Sequence, residues 1–317
     1  MTAIRRLAWT IAALAFALIV LGALVRATNS GLSCPDWPTC YGQWVLTPSE
    51  FAQLPDTGYT YGQVMLEWVH RLIAGVFVGP LVLVLLVLLF LRRREHPDLL
   101  AAGAVLVALL VVQKLLGGIT VLDRNSPWSV ALHLGNAMFV LAALLWIAVR
   151  ASPAARTEAP SGLRMLAAGC WVLVFATVTS AAIVAKSGAS LACSTWPSCD
   201  GALLPDLGDP LIRANFTHRL LAALSALALS ILALRAMRAA MAPGTARLAE
   251  AAAILVWLEV GLGALTVWSE IATELAVLHQ ALGVAVFASV TLFWWRLREA
   301  ARPEAQRAAD GLALRGA

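Results

Sequence analysis

One stretch decides the fold class: residues 66–91 read LEWVHRLIAGVFVGPLVLVLLVLLFL. Glu67, His70 and Arg71 carry its only acidic, imidazole and basic groups. About 20 apolar residues let a helix cross a bilayer, so the stretch predicts a transmembrane helix. Of the 317 residues, 61% are hydrophobic and 13% are charged, about half the charged share of a soluble domain. This composition excludes a soluble globular enzyme and a disordered chain.

Seven further apolar runs are long enough to span a membrane, so we expect an all-α polytopic membrane protein with eight transmembrane helices. The first run is longer than the 7–15 apolar residues of a signal peptide, and no small-x-small cleavage site follows it. We therefore expect it to be retained as a helix. The predicted spans are 7–25, 66–91, 99–121, 129–149, 164–185, 214–234, 248–268 and 275–295.

Arginine clusters predict the orientation of these spans. They precede the first span, follow the second, fourth and sixth, and recur in the tail, whereas the first loop, 28–63, contains no Lys or Arg. By the positive-inside rule both termini are cytoplasmic, and the cysteine-containing loops lie on the outer, periplasmic side of a bacterial inner membrane. The net charge of +5 is thus explained by membrane topology, and no nucleic-acid partner is expected.

Two outer loops share one motif. Residues 34–42, CPDWPTCYG, and 193–201, CSTWPSCDG, both fit C-x2-W-P-x-C-x-G. Three further matches follow in the same order: His70-Arg71-Leu72 with His218-Arg219-Leu220, Leu116-Gly117-x2-Thr120-Val121 with Leu262-Gly263-x2-Thr266-Val267, and Leu132-His133 with Leu278-His279. The matches predict a parallel internal repeat. We expect an N-terminal four-helix bundle over 1–150, a cytoplasmic linker over 151–162 and a C-terminal four-helix bundle over 163–317.

Four histidines lie in predicted spans near the outer face: His70, His133, His218 and His279. Each repeat offers two imidazoles at one depth, which could bind one haem iron axially from two helices. The iron ligands would be His70 and His133 in one half, and His218 and His279 in the other. Separate polar contacts between helices are the alternative. A zinc site is less consistent with the pattern, because no third or fourth ligand follows at metal spacing.

An arginine follows the first histidine of each pair. Arg71 and Arg219 are suited to contact haem propionates through bidentate hydrogen bonds. The alternative is an arginine whose side chain snorkels to the membrane surface.

The outer loops also contain two cysteine pairs, Cys34–Cys40 and Cys193–Cys199. An oxidising outer compartment favours disulfides there. Each pair could be a structural clip or a redox-active pair that relays electrons, and the sequence favours neither.

The two halves differ at two informative positions. Glu67 lies three residues before His70, whereas Asn215 precedes His218 at the same spacing. A carboxylate can move protons, so Glu67 is the candidate catalytic residue; its alternative role is an ion pair with Arg71. The second difference is Gln113 against Glu259, for which the sequence provides no explanation.

Together, these residues resemble the haem A synthase family. The resemblance covers residues 5–298 and is carried by the first-loop motif from Gly31 to Gly42, by Glu67-x-x-His70-Arg71 and by the four histidines. It implies oxidation of the C8 methyl group of haem O to a formyl group through hydroxylated intermediates, which makes haem A for terminal oxidases. His70 and His133 would then bind the substrate haem O, and His218 and His279 a haem b cofactor.

Rival functions are a non-enzymatic bis-histidine cytochrome b, a thiol–quinone oxidoreductase and a haem carrier. A cytochrome b would more naturally place its haems at two depths, and a thiol–quinone enzyme leaves the four histidines unexplained. Besides haem O, the candidate partners are membrane lipid, a haem O synthase, an electron donor or acceptor that the sequence does not identify, and a second copy of the chain in a homo-oligomer.

Overall fold

The computed structural model describes residues 1–152, 160–239 and 241–300. Within them, eight helices are long and apolar enough to cross a membrane, which confirms the predicted all-α polytopic fold. Most of the predicted linker, 153–159, lies outside the described residues. The helices are α1 (Thr2–Ala27), α2 (Tyr61–Leu91), α3 (Pro97–Leu122), α4 (Pro127–Arg150), α5 (Ser161–Ser187), α6 (Pro210–Arg238), α7 (Pro243–Trp268) and α8 (Thr273–Ala300).

Local capping makes several helices longer than their apolar runs. Helix α2 begins at Tyr61 because the Thr60 hydroxyl accepts from the Gln63 amide, while the Gln63 side chain accepts from the Thr60 amide. Helices α3, α4, α6 and α7 each begin with proline, a residue that fits the first helical position because no partner for its missing N–H is needed there.

Helix α2 contains a π-helical segment, Ile73–Val78, immediately after the turn that carries His70. Pro80 follows the segment and cannot donate a backbone hydrogen bond, so the regular ladder is interrupted at this point. The amide of Gly79 instead donates to the carbonyl of Ala74, five residues back. Such segments concentrate at functional sites.

Helix α4 lies at the centre of the molecule, where it packs against α1, α3, α5 and α8. One buried apolar cluster extends through both halves of the chain. On α5, Trp171 stacks on Phe175 and packs against Phe287 of α8, and its indole N–H donates to the Thr291 hydroxyl at 2.9 Å. The ring of Phe139 on α4 lies 6.0 Å from Trp171 and 4.7 Å from Phe175, so aromatic packing joins the N-terminal and C-terminal helices directly.

The two cysteine-containing loops have the same backbone course. Each contains a disulfide, Cys34–Cys40 in one and Cys193–Cys199 in the other, as the sequence predicted. Tyr41 and Gly42 have φ of 54° and 73°, and their counterparts Asp200 and Gly201 have φ of 52° and 88°. A positive φ suits glycine, which explains why each motif ends with that residue.

Candidate functional site

The C-terminal histidines face one cavity of about 440 Å³ between α5, α6, α7 and α8. The ring centres of His218 and His279 are 6.4 Å apart, and their planes are nearly perpendicular at 87°. A bond from a metal to an imidazole nitrogen is about 2.0–2.1 Å long, so two imidazoles on opposite sides of one ion have ring centres about 6–6.5 Å apart. The spacing of this pair fits axial ligation of a single iron.

Both rings of this pair have a polar partner at Nδ1. Nδ1 of His218 lies 2.9 Å from the hydroxyl oxygen of Ser180 on α5. Nδ1 of His279 lies 3.1 Å from Oε1 of Glu259 on α7. Sequence reasoning singled out Glu259 without a role and missed Ser180, whose contact depends on how α5 and α6 are rotated against each other.

In the N-terminal half, Gln113 of α3 contacts His133. Its side-chain Nε2 lies 3.3 Å from Nδ1 and 3.2 Å from Nε2 of the imidazole, and it donates to the His133 carbonyl at 3.1 Å. Asn136 donates to Oε1 of Gln113 at 2.7 Å. Nδ1 of His70 is buried and has no hydrogen-bond partner among the described residues. Nδ1 of His279 likewise makes no aligned hydrogen bond, so the halves differ in the side chain beside the imidazole: an amide at His133, but a carboxylate at His279 and a hydroxyl at His218.

Glycines allow neighbouring helices to approach three of the four imidazoles. A Cβ atom at Gly22, Gly117 or Gly263 would lie 3.1–3.4 Å from Cε1 of His70, His133 or His279, respectively. At these distances an added Cβ would require the imidazole to shift by a few tenths of an ångström at the closest of the three positions, Gly263. Gly117 and Gly263 occur in the repeated Leu-Gly motif, so the repeat marked these positions although it did not reveal their role.

Glu67 is 4% exposed and faces the first disulfide loop. Its Oε2 accepts from the Ser33 hydroxyl at 3.1 Å and from the Cys34 amide at 3.0 Å, while Oε1 pairs with Arg71. Arg71 also donates to the carbonyls of Asp36 at 2.6 Å, Thr39 at 2.7 Å and Cys34 at 3.2 Å. The ion pair weighed in the sequence analysis is thus present, and it joins the loop to α2 one turn from His70.

The second loop is held in the same way, except for the carboxylate. Arg219 donates to the carbonyls of Cys193, Thr195 and Ser198 at 2.6–3.0 Å. Asn215 donates to the carbonyls of Ala189 and Ser190 at 2.7 and 3.1 Å. Asn215 thus supplies a donor where Glu67 supplies acceptors.

A further cation reaches the C-terminal cavity from the N-terminal half. Arg26, in the last turn of α1, lines the cavity together with Arg219. Its guanidinium donates to the neutral side chain of Gln280 at 3.3 Å. The sequence did not single out Arg26, because it has no counterpart in the second copy of the repeat.

An acidic side chain stabilises the fold of the first loop. Asp36 accepts hydrogen bonds from the Thr39 hydroxyl and from the amides of Tyr41 at 2.6 Å and Gly42 at 3.0 Å. Partial burial raises the pKa of this carboxyl, but the three hydrogen bonds outweigh it, so the pKa is lower than usual.

Comparisons with known proteins agree with this arrangement. Residues 5–291 match the model of the family COX15-CtaA, described as cytochrome oxidase assembly protein. A protein of Rhodopseudomonas palustris named heme A synthase is 30% identical, over 87% of this chain and 84% of its own length. Proteins with the same name from Caulobacter vibrioides and Methylorubrum extorquens are 28% and 29% identical, over 91% and 92% of this chain and 94% and 85% of their own lengths. The chain belongs to the COX15-CtaA family of cytochrome oxidase assembly proteins.

Proposed function

We propose that this membrane protein is a haem A synthase, an oxidoreductase that converts haem O to haem A. The observation that carries the proposal is the spacing of His218 and His279, which fits two ligands of one iron, in a chain whose relatives are named heme A synthase. Conversion of the C8 methyl group to a formyl group adds one oxygen atom and withdraws four electrons from the carbon. The reaction therefore needs an electron acceptor as well as a substrate site.

The C-terminal residues fit a haem b cofactor. His218 and His279 have the spacing of two axial ligands, and the cavity around them is within the size range of small-molecule sites. Arg219 and Arg26 line the same cavity and would hold the propionates. When bound, the haem supplies an iron centre that accepts and returns one electron at a time.

The N-terminal residues are assigned to the substrate. His70 and His133 would bind the iron of haem O, and the Nε–H of Arg71 would contact a propionate, since its other donors hold the loop. Glu67 would take up protons that the methyl group releases. Its oxygens accept from Ser33, Cys34 and Arg71, which leaves one of the four lone-pair sites of the carboxylate for a proton.

The disulfides and the topology complete the proposal. Both termini are assigned to the cytoplasm and the disulfide loops to the periplasmic side of a bacterial inner membrane, which is supported by the arginine clusters between alternate spans. We assign residues 1–150 to the substrate half and 163–317 to the haem b half. The Cys34–Cys40 and Cys193–Cys199 disulfides each close one loop, beside the arginine that donates to the carbonyls of that loop.

Two matched variants test the assignment of the sites. The full-length chain is expressed in cells that make haem O, and its haems are extracted and separated. The expected result is that His70→Ala abolishes haem A and its hydroxylated precursor but keeps haem B, whereas His218→Ala loses haem B. If His70→Ala loses haem B and His218→Ala keeps it, the assignment of the two sites is reversed. Normal haem A from both variants would refute the proposed ligands.

A further inference from the structure

The two halves place side chains of opposite hydrogen-bonding character against equivalent imidazoles. The offset of 146 residues that relates His133 to His279 also relates Gln113 to Glu259. The offset of 159 that relates the disulfide loops pairs Ser180 with Leu21. The C-terminal half therefore has two polar partners for its imidazoles, at positions where the N-terminal half has an amide and an apolar side chain.

In the C-terminal half, both partners are hydrogen-bond acceptors. The Ser180 hydroxyl has a single proton, and it donates this proton to the Thr177 carbonyl at 2.7 Å. Toward Nδ1 of His218, at 2.9 Å, Ser180 can therefore only accept. Oε1 of Glu259 lies 3.1 Å from Nδ1 of His279, so the carboxylate attracts the ring proton to that atom, although the two groups are not aligned as a hydrogen bond. Both contacts place the ring proton on Nδ1, which leaves the lone pair of Nε2 free to bind iron.

In the N-terminal half, the partner is a donor. Asn136 donates to Oε1 of Gln113, so the amide group is oriented with its N–H bonds toward His133. The amide nitrogen lies 3.3 Å from Nδ1 and 3.2 Å from Nε2 of His133, so it rests against the ring and is not in line with the lone pair of either nitrogen. His70 has no partner at Nδ1 that would fix its tautomer. Among the described residues, Gln113 offers His133 a donor and Nδ1 of His70 has no partner, so a haem that binds here must select the tautomer of both rings on binding.

We infer that Ser180 and Glu259 make the C-terminal pair a permanent haem site, whereas Gln113 keeps the N-terminal pair exchangeable. The inference rests on the proposed function, in which one haem is a cofactor and the other is a substrate that leaves at every turnover. Ser180, Glu259 and Gln113 are positioning residues, because each acts through an imidazole. An outer-shell partner of a metal-bound histidine typically changes metal affinity 10- to 100-fold.

The reciprocal swaps Glu259→Gln and Gln113→Glu test this inference. Haem release from the purified full-length protein is followed spectroscopically after addition of excess apomyoglobin, which captures free haem. Glu259→Gln is expected to release haem B about 10- to 100-fold faster than the parent protein. Gln113→Glu is expected to slow release of haem O and haem A from the other site. Unchanged rates in both variants would refute the inference.

The conservative variant Ser180→Ala provides an independent measurement with a matched control. Ser225 lines the cavity beside the histidines, and its hydroxyl contacts Thr177 at 2.9 Å rather than a histidine. Ser180→Ala should accelerate haem B release and change the midpoint potential of the haem, whereas Ser225→Ala should change neither. Equal effects of Ser180→Ala and Ser225→Ala would show that both hydroxyls only contribute to packing, and would refute the positioning role of Ser180. A parent protein without haem B would instead refute the proposed function itself.

Discussion

Replacing Glu67 with glutamine tests whether this carboxylate holds the first disulfide loop against α2. The substitution keeps the size and shape of the side chain but leaves one acceptor oxygen where the carboxylate has two. The oxygen can face either Arg71 or the donors of Ser33 and Cys34, so the amide nitrogen must face the remaining donors. At least one charged hydrogen bond is lost in a buried setting.

The magnitude follows from the bonds involved. A hydrogen bond to a charged group stabilises a fold by about 1.5–3 kcal/mol. Arg71 retains its bonds to the loop carbonyls of Cys34, Asp36 and Thr39, so the loop should stay folded but open more often. Since about 1.4 kcal/mol corresponds to a factor of ten, the opening equilibrium should rise about 10- to 100-fold.

Hydrogen exchange of the detergent-solubilised protein measures this opening. Amide exchange at Cys34 should accelerate by that factor in Glu67→Gln, while the second loop, held by Arg219 and Asn215, should keep its parent rate. Glu50→Gln is the matched control, because Glu50 is an exposed carboxylate that caps a short helix in the same loop. If the Cys34 amide of Glu67→Gln exchanges at the parent rate while turnover is lost, the anchoring role is refuted and only a role in proton transfer remains.

Three further predictions concern the C-terminal site. Arg26→Gln should lower the haem B content of the purified protein, because it removes a cation that lines the cavity; unchanged content would refute the propionate contact. Gly263→Ala should weaken the low-spin haem spectrum more than Gly117→Ala does, because the added Cβ would lie 3.1 Å from an imidazole carbon rather than 3.4 Å; equal spectra would refute the packing argument. Cys193→Ser should retain haem B and turnover, because Arg219 still holds the loop; lost turnover with retained haem B would instead indicate an electron relay.

The number of transmembrane helices could be predicted from the sequence because it depends on the summed hydropathy of long segments. Eight apolar runs determine the number of helices, and the repeated cysteine motif led to the two disulfides. The helix ends were predicted less well, since α2 begins five residues before its apolar run, at a capping box that involves Gln63. The π-helical segment of α2 was not predicted, because it reflects where Pro80 interrupts a ladder of hydrogen bonds.

The partners of the histidines could be predicted only in part. Gln113 and Glu259 were visible as a break in the repeat, but their contacts with His133 and His279 required the packing of neighbouring helices. Ser180 has no motif, and its role depends on the rotation of α5 toward α6. Sequence periodicity does not determine such rotations when helices are apolar around most of their circumference.

The haem composition of the purified parent protein tests the central claim most directly. The protein is expressed in cells that supply haem O, and its haems are extracted with acidic acetone and separated by chromatography. Haem B together with haem A, or its hydroxylated precursor, is the predicted result. Two equivalents of haem B per chain, with no oxidised derivative of haem O, would contradict the proposed synthase and favour an electron-carrying cytochrome.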